Sequence, residues 1–287
     1  MDMSIIAGAR LRERPFEYTA NGVTVVLKSG YAAGTTGKVQ GDNSGKIYTA
    51  VNETQLRAII NEGDANTDLT GFCTTLVTNM EGNLSPSFEI TPFINSGSNQ
   101  DISSWDVSNV TNMASMFGGT SSFNQPLDNW DVSSVTDMTN MFDRASSFNQ
   151  DINNWDVSNV TNMSLMFYNA NSFNQPLNSW DVSSVNNIRN MFGGTSSFNQ
   201  PLNSWDVSSV TNMVGVFTGT SSFNQPLDNW DVSSVTNMGL MFAIAESFNQ
   251  DISNWCVTNI ASEPNQFDTG ADAWVLANSR PIWGTCP

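Results

Sequence analysis

The stretch Phe123-Asn124-Gln125-Pro126-Leu127-Asp128-Asn129-Trp130-Asp131-Val132-Ser133-Ser134-Val135 decides the fold, because nearly the same words return every 25 residues. Trp105, Trp130, Trp155, Trp180, Trp205, Trp230 and Trp255 keep that interval without a slip and account for seven of the nine tryptophans. At 287 residues the chain has room for one or two ordinary domains, but a fixed period of this length marks a single array preceded by a smaller N-terminal piece.

Within one unit the apolar positions are Phe123, Leu127, Trp130, Val132, Val135, Met138, Met141 and Phe142. Leu-x-x-Trp-x-Val matches the Leu-x-x-Leu-x-Leu pattern of a leucine-rich-repeat strand, with Trp130 and Val132 inward and Asp131 outward. The return segment Thr136 to Phe142 carries Met138, Met141 and Phe142 at helical spacing. It reads as a helical turn, or as a short second strand followed by one. A single unit cannot bury so much apolar surface, whereas units stacked about 4.8 Å apart place each residue over its counterpart. Each stacked Trp then contributes on the order of 4 to 6 kcal/mol as an upper bound. The expected fold is an α/β repeat solenoid, leucine-rich-repeat-like, with a parallel sheet on one face. About eight coils start near Leu69, Ile102, Leu127, Ile152, Leu177, Leu202, Leu227 and Ile252. In the first, Phe72 stands for Trp and Cys73 for Asp, and eight extra residues fall around Ser85 to Ser98.

Upstream, Phe16 to Leu27 places two β-prone runs around Asn21-Gly22, a strong hairpin signal. Glycines 30, 34, 37, 41 and 45 suggest a linker or loosely draped segment. After a strand at Lys46 to Val51, Asn52-Glu53-Thr54-Gln55 opens a short amphipathic helix with Leu56, Ile59 and Ile60 on one face and Gly63 as its stop. An open stack needs its first coil covered, so this helix reads as a cap. The organisation expected is residues 1–45 as hairpin, docking segment and linker, 46–68 as N-terminal cap, 69–255 as solenoid and 256–287 as C-terminal cap.

The net charge is −17, and residues 65 to 287 carry three basic against twenty acidic side chains. Such a field disfavours nucleic acid and anionic membrane as partners. No stretch is long enough to span a bilayer, and Met1 to Arg14 contains no continuous apolar run, so no Sec-type signal peptide is expected. The chain has no histidine, which removes an imidazole base, and neither Gly-x-Ser-x-Gly nor a P-loop occurs. Catalysis is not expected. The Asp row at 106, 131, 156, 181, 206 and 231 repels itself by roughly 0.9 kcal/mol per neighbouring pair in water. Hydrogen-bonded surface Asp is the simpler reading, since one carboxylate per coil supplies too few oxygens for calcium. Asp64-x-Asn66-x-Asp68 resembles the start of a calcium loop but has Leu69 where glycine belongs, so calcium is a weak cofactor candidate and none is expected. Of three cysteines, Cys256 and Cys286 are the pair that would staple the C-terminal cap, the alternative being two reduced thiols. Cys73 lies too many coils from Cys256 to join it.

The words Val-Thr-Asn-Met-x-x-Met-Phe, Ser-Phe-Asn-Gln and Trp-Asp-Val-Ser resemble the bacterial surface-protein repeat catalogued in mycoplasma lipoproteins and common in Bacteroidetes, itself similar to the BspA-like leucine-rich repeats. The resemblance runs from about Lys46 to Pro287 and implies a non-enzymatic, surface-displayed solenoid used for adhesion or protein contact. The stretch from Trp255-Cys256 to Cys286-Pro287 looks like that family's C-terminal cap.

Coil-to-coil differences point to where contact occurs. Core positions barely change, while Arg144, Leu165, Tyr168, Arg189, Leu240 and Ile244 vary and line one edge. They are the candidate binding residues, with a protein or a cell-surface glycan as partner. Two functional readings follow. One is a bacteriophage virion component joined to a larger assembly through residues 1–45, and the other is a bacterial cell-surface adhesin. A cation- or ice-binding array, prompted by the Asp and Thr rows, is a distant third. Localisation is accordingly virion or extracellular, without membrane insertion.

Overall fold

The computed structural model describes residues 14–39, 44, 46–62, 67–84, 90–94, 96–275 and 279–287. Its dominant feature is a run of 25-residue units hydrogen-bonded in register. Asn79, Asn112, Asp137, Asn162, Asn187, Asn212 and Asn237 form successive parallel bridges, each to its counterpart in the next unit. Around each bridge the backbone amides divide their work. Thr136 N–H donates back to the Thr111 carbonyl at 2.9 Å, while the amides of Met138, Asn140, Phe142 and Arg144 donate forward to Asn162, Ser164, Met166 and Tyr168 at 2.7–3.1 Å. Between them, Met141, Asp143 and Ala145 N–H close turns on the carbonyls of Met138, Asn140 and Phe142. Alternate amides thus serve the unit and its neighbour, which leaves few backbone groups unpaired in the interior.

Two expectations change at this level. The Leu-x-x-Trp-x-Val stretch is a pair of turns: Trp130 N–H donates to Leu127 O at 3.1 Å and Val135 N–H to Val132 O at 2.9 Å. The turns win because Asp131 Oδ1 accepts both the amide of Ser133 at 3.1 Å and its hydroxyl at 2.6 Å, a local bond that competes with an extended ladder. The return segment is no helix either, since its amides alternate between turn and neighbour, and the parallel ladder runs here, one residue wide.

Side chains stack as the backbone does. Phe142 and Phe167 lie 5.6 Å apart with planes within 3°, and Trp180 and Trp205 lie 6.4 Å apart within 4°. The tryptophan rings lie 6.3–6.5 Å apart, wider than the roughly 4.8 Å step of a backbone ladder, as offset-stacked rings do. Each indole N–H donates to the Leu or Ile carbonyl one unit back, as in Trp205 to Leu177 O at 2.9 Å. Polar columns are equally regular: Asn199 Oδ1 accepts Asn224 N–H at 2.9 Å and Gln225 Nε2–H at 3.0 Å, satisfying two donors of the next unit.

Both ends of the stack are covered. At the start, β4 (Tyr48–Asn52) pairs in parallel with β5 (Phe72–Leu76), and α1 (Glu53–Glu62) buries Leu56 and Ile60 in the common core. Asn52 and Gln55 form a reciprocal capping box at its N-terminus, with bonds of 3.0 and 3.1 Å. Asn83–Leu84 and Ile90–Thr91 pair antiparallel within the enlarged first unit. At the far end Trp274 stands edge-on to Phe248, 4.8 Å away at 87°, so the parallel ring column cannot continue. Cys256 and Cys286 are disulfide-bonded with α-carbons 4.0 Å apart.

The N-terminal module packs on this stack. β1 (Phe16–Tyr18) and β2 (Val25–Leu27) form an antiparallel hairpin. Of the expected linker, residues 40–43 and 45 lie outside the described residues, while the part up to Val39 is fastened: β3 (Thr36–Gly37) pairs with β4, Gly34 N–H donates to Ala50 O at 2.8 Å, and Val39 is fully buried. Phe16, Val25, Leu27, Val39, Tyr48, Ala50 and Cys73 make a second small core. Val25 N–H reaches Ser104 O at 3.0 Å, so the hairpin covers the outer face of the first units. This explains the departure at Cys73, which occupies the Asp position beneath the hairpin, fully buried, where an ionised carboxylate would be costly. Asp106, one unit later, is also covered at 4% exposure, whereas Asp131 and its successors face solvent.

Candidate functional site

The turn edge owes its geometry to two left-handed positions per unit, four residues apart. The first row reads Ser115, Asn140, Leu165, Asn190, Gly215 and Leu240, and the second Gly119, Arg144, Asn169, Gly194, Gly219 and Ile244, with φ between 51° and 78° throughout. Glycine enters such a region freely and Asn tolerates it, whereas Leu, Ile and Arg do so at a cost of about 1–2 kcal/mol each. Of the six candidate edge residues, Arg144, Leu165, Leu240 and Ile244 stand at these strained positions, and Tyr168 and Arg189 lie beside them. Arg144, Arg189 and Ile244 are exposed, Ile244 at 57%, while Leu165, Tyr168 and Leu240 are half-buried.

Variation along the edge is coupled between neighbours. A Cβ added to Gly193 would fall 2.9 Å from the Tyr168 ring, because that ring lies across the glycine of the next unit. Asn169 and Asn190 lie in the same way over Gly194 and Gly215, whose added Cβ atoms would meet their Oδ1 atoms at 2.1 and 2.0 Å. At these three places a large side chain lies over the bare backbone of the next unit's glycine, and the edge is a shaped surface. Asn169, which varies between units beside Tyr168, and Asn190 belong to it as well. Asn or Gly stands at one or both left-handed positions of every unit except the one with Leu240 and Ile244, and that preference is the signal for Asn190 in the sequence.

Asp143 sits within the edge. Its side chain is 4% exposed. Oδ2 accepts Asn140 Nδ2–H at 3.0 Å, while buried Oδ1 has no hydrogen-bond partner and faces the Arg144 guanidinium at 3.8 Å. Burial pushes its carboxyl up to about 6, against the opposing pull of Arg144 and the Asn140 bond.

The Asp row is held by local bonds. Asp156, Asp181 and Asp231 are held below the usual carboxylate range, first by the hydroxyls of Ser158, Ser183 and Ser233 and then by those residues' amides. Each carboxylate is engaged within its own unit. Of the calcium-loop residues, Asp64 and Asn66 lie outside the described residues, and Asp68 Oδ1 accepts Thr70 N–H at 2.9 Å and its hydroxyl at 2.8 Å. Among the described residues no group of three or more His, Cys, Asp or Glu is placed to hold a metal ion, and no helix is long and apolar enough to cross a membrane. Cys256 and Cys286 lie together at the C-terminal end, away from the edge residues in sequence, and Cys73 is a buried thiol whose Sγ contacts Val25 O at 3.2 Å.

Neither a curated protein nor a solved structure matches the chain. The family described as Mycoplasma protein of unknown function, DUF285, matches over residues 54–175, 83–200 and 176–274. Those segments overlap to span nearly all the 25-residue units, and the chain belongs to that family.

Proposed function

We propose that this chain is a non-catalytic structural and adhesive protein: a leucine-rich-repeat-like solenoid of the BspA-like kind whose turn edge recognises a protein or a cell-surface glycan. The observation that carries this reading is the division of labour within each unit. Positions such as Trp180, Phe167 and Asn199 repeat and are fully engaged with neighbouring units. Residues that differ from unit to unit gather on the edge, where Leu, Ile and Arg occupy left-handed backbone that glycine fills elsewhere. Strain retained at exposed positions favours a role outside the fold.

Display on a virion and display on a bacterial surface both suit such a scaffold. The virion reading assigned particle docking to residues 1–45. Residues 1–13, 40–43 and 45 of that segment lie outside the described residues, and residues 14–39 pack their apolar face on the first units of their own stack, an arrangement that suits either display. Mass spectrometry of purified virions against cell envelopes decides between them. The recognition edge is tested by Arg144→Glu together with Arg189→Glu: attachment falls at least tenfold with folding intact if the edge is the contact, and unchanged attachment refutes it.

A further inference from the structure

Asp143 is a buried carboxylate that stacking does not require. Its counterparts in the other units are Gly118, Tyr168, Gly193, Thr218 and Ala243, none of them acidic. The preceding unit brings Gly118 and Gly119 against it, with Gly119 N–H on the Asp143 carbonyl, and the following unit brings Tyr168 and Asn169, with Arg144 N–H on the Tyr168 carbonyl at 2.7 Å. Arg144 is the charged group that acts on its carboxyl. That guanidinium approaches Oδ1 at 3.8 Å, beyond a hydrogen bond, from a side chain 53% exposed on the edge. A buried carboxylate oxygen with no donor thus faces an exposed cation just out of bonding range, and the charge on the carboxyl sets how strongly that cation is drawn inward.

We propose that Asp143, Asn140 and Arg144 form a proton-operated latch on the turn edge, in which ionised Asp143 holds Arg144 against the stack and neutral Asp143 releases it to a partner. The proposal rests on the reading of the edge as a recognition surface and names its regulation. Protonation places a hydrogen on Oδ1 and removes the charge that draws Arg144 inward, while Asn140 keeps its bond to Oδ2. The position of the carboxyl's titration, near 6, puts the change between neutral and mildly acidic surroundings. An acidified environment would therefore present Arg144 free on the edge, and a neutral one would present it paired.

The latch is tested on the whole chain without a partner. The Asp143 carboxyl carbon and the Arg144 Nε signal are followed by NMR from about pH 4 to pH 8, with Asp143→Asn as the assignment control. The expected result is one midpoint near 6 shared by both signals, moved upward in Arg144→Gln because the stabilising cation is gone. An Asp143 midpoint at or below about 4, the ordinary carboxylate value, overturns the proposal. So does an Arg144 signal that ignores the Asp143 titration. Failure of the recognition reading is separate: attachment would then be indifferent to Arg144→Glu and Arg189→Glu while the shared midpoint persisted.

Discussion

Along the tryptophan column, Trp105 to Trp255 repeat one residue in one set of contacts, each indole bonded to the carbonyl of the unit before it. Along the second left-handed row, Gly119 is followed by Arg144, Asn169, Gly194, Gly219 and Ile244. Both rows belong to the same 25-residue unit, so the difference is not one of backbone. In the column, every side chain is both floor and ceiling for its neighbours, and a change in one unit disturbs two others. On the edge, a side chain needs only to clear the residue one unit along, as Tyr168 clears Gly193. Uniformity marks where the fold is held, and variation marks where it is free to differ.

The largest blow to this contrast comes from the column. Trp180→Ala removes a ring stacked on Trp155 at 6.5 Å and on Trp205 at 6.4 Å, and lowers stability by about 3–5 kcal/mol in urea unfolding. A loss below about 1 kcal/mol would mean that the stack is looser than its geometry. Reducing the Cys256–Cys286 bond, which closes a loop 30 residues long, costs about 3–4 kcal/mol in the chain-entropy account, read as a fall in thermal midpoint with added reductant.

Asp143 gives an effect of intermediate size with a definite sign. Its folded value near 6 lies above the ordinary 3.8. The folded state therefore holds its proton more tightly, and the stability this contributes is present below pH 4 and lost as pH rises through about 6. Asp143→Asn is accordingly more stable than the parent by about 2–3 kcal/mol at pH 7, with the gap closing at pH 4. Paired denaturation curves at the two pH values check it, and a pH-independent gap contradicts the account. Smaller still, Gly194→Ala at φ 69° meets the Asn169 side chain and loses about 1–2 kcal/mol.

Much of the interior was legible beforehand because periodicity is a property of composition along the chain. The tryptophan interval identifies the core, and the recurrence of Asn199 and its counterparts identifies the polar ladder. The position of the parallel bridges was not legible, since Trp-x-Val alternates like a strand while Asp131 and Ser133 divert that stretch into turns. The left-handed rows were hidden because Leu165, Leu240 and Ile244 occupy conformations that residue type argues against. Docking of the hairpin had one visible trace, the Cys73 substitution in the Asp row, which signals cover over that unit.

The edge contrast comes down to whether its side chains are kept against the interest of the fold. Ile244 is the plainest case, a β-branched residue at φ 57° with 57% of its surface exposed. Urea unfolding of Ile244→Gly measures it directly. Relief of the left-handed strain, less the added freedom of glycine in the unfolded chain, predicts a gain of about 0.5–1 kcal/mol. A loss of stability would contradict the account, because it would show Ile244 to be held by packing within the stack.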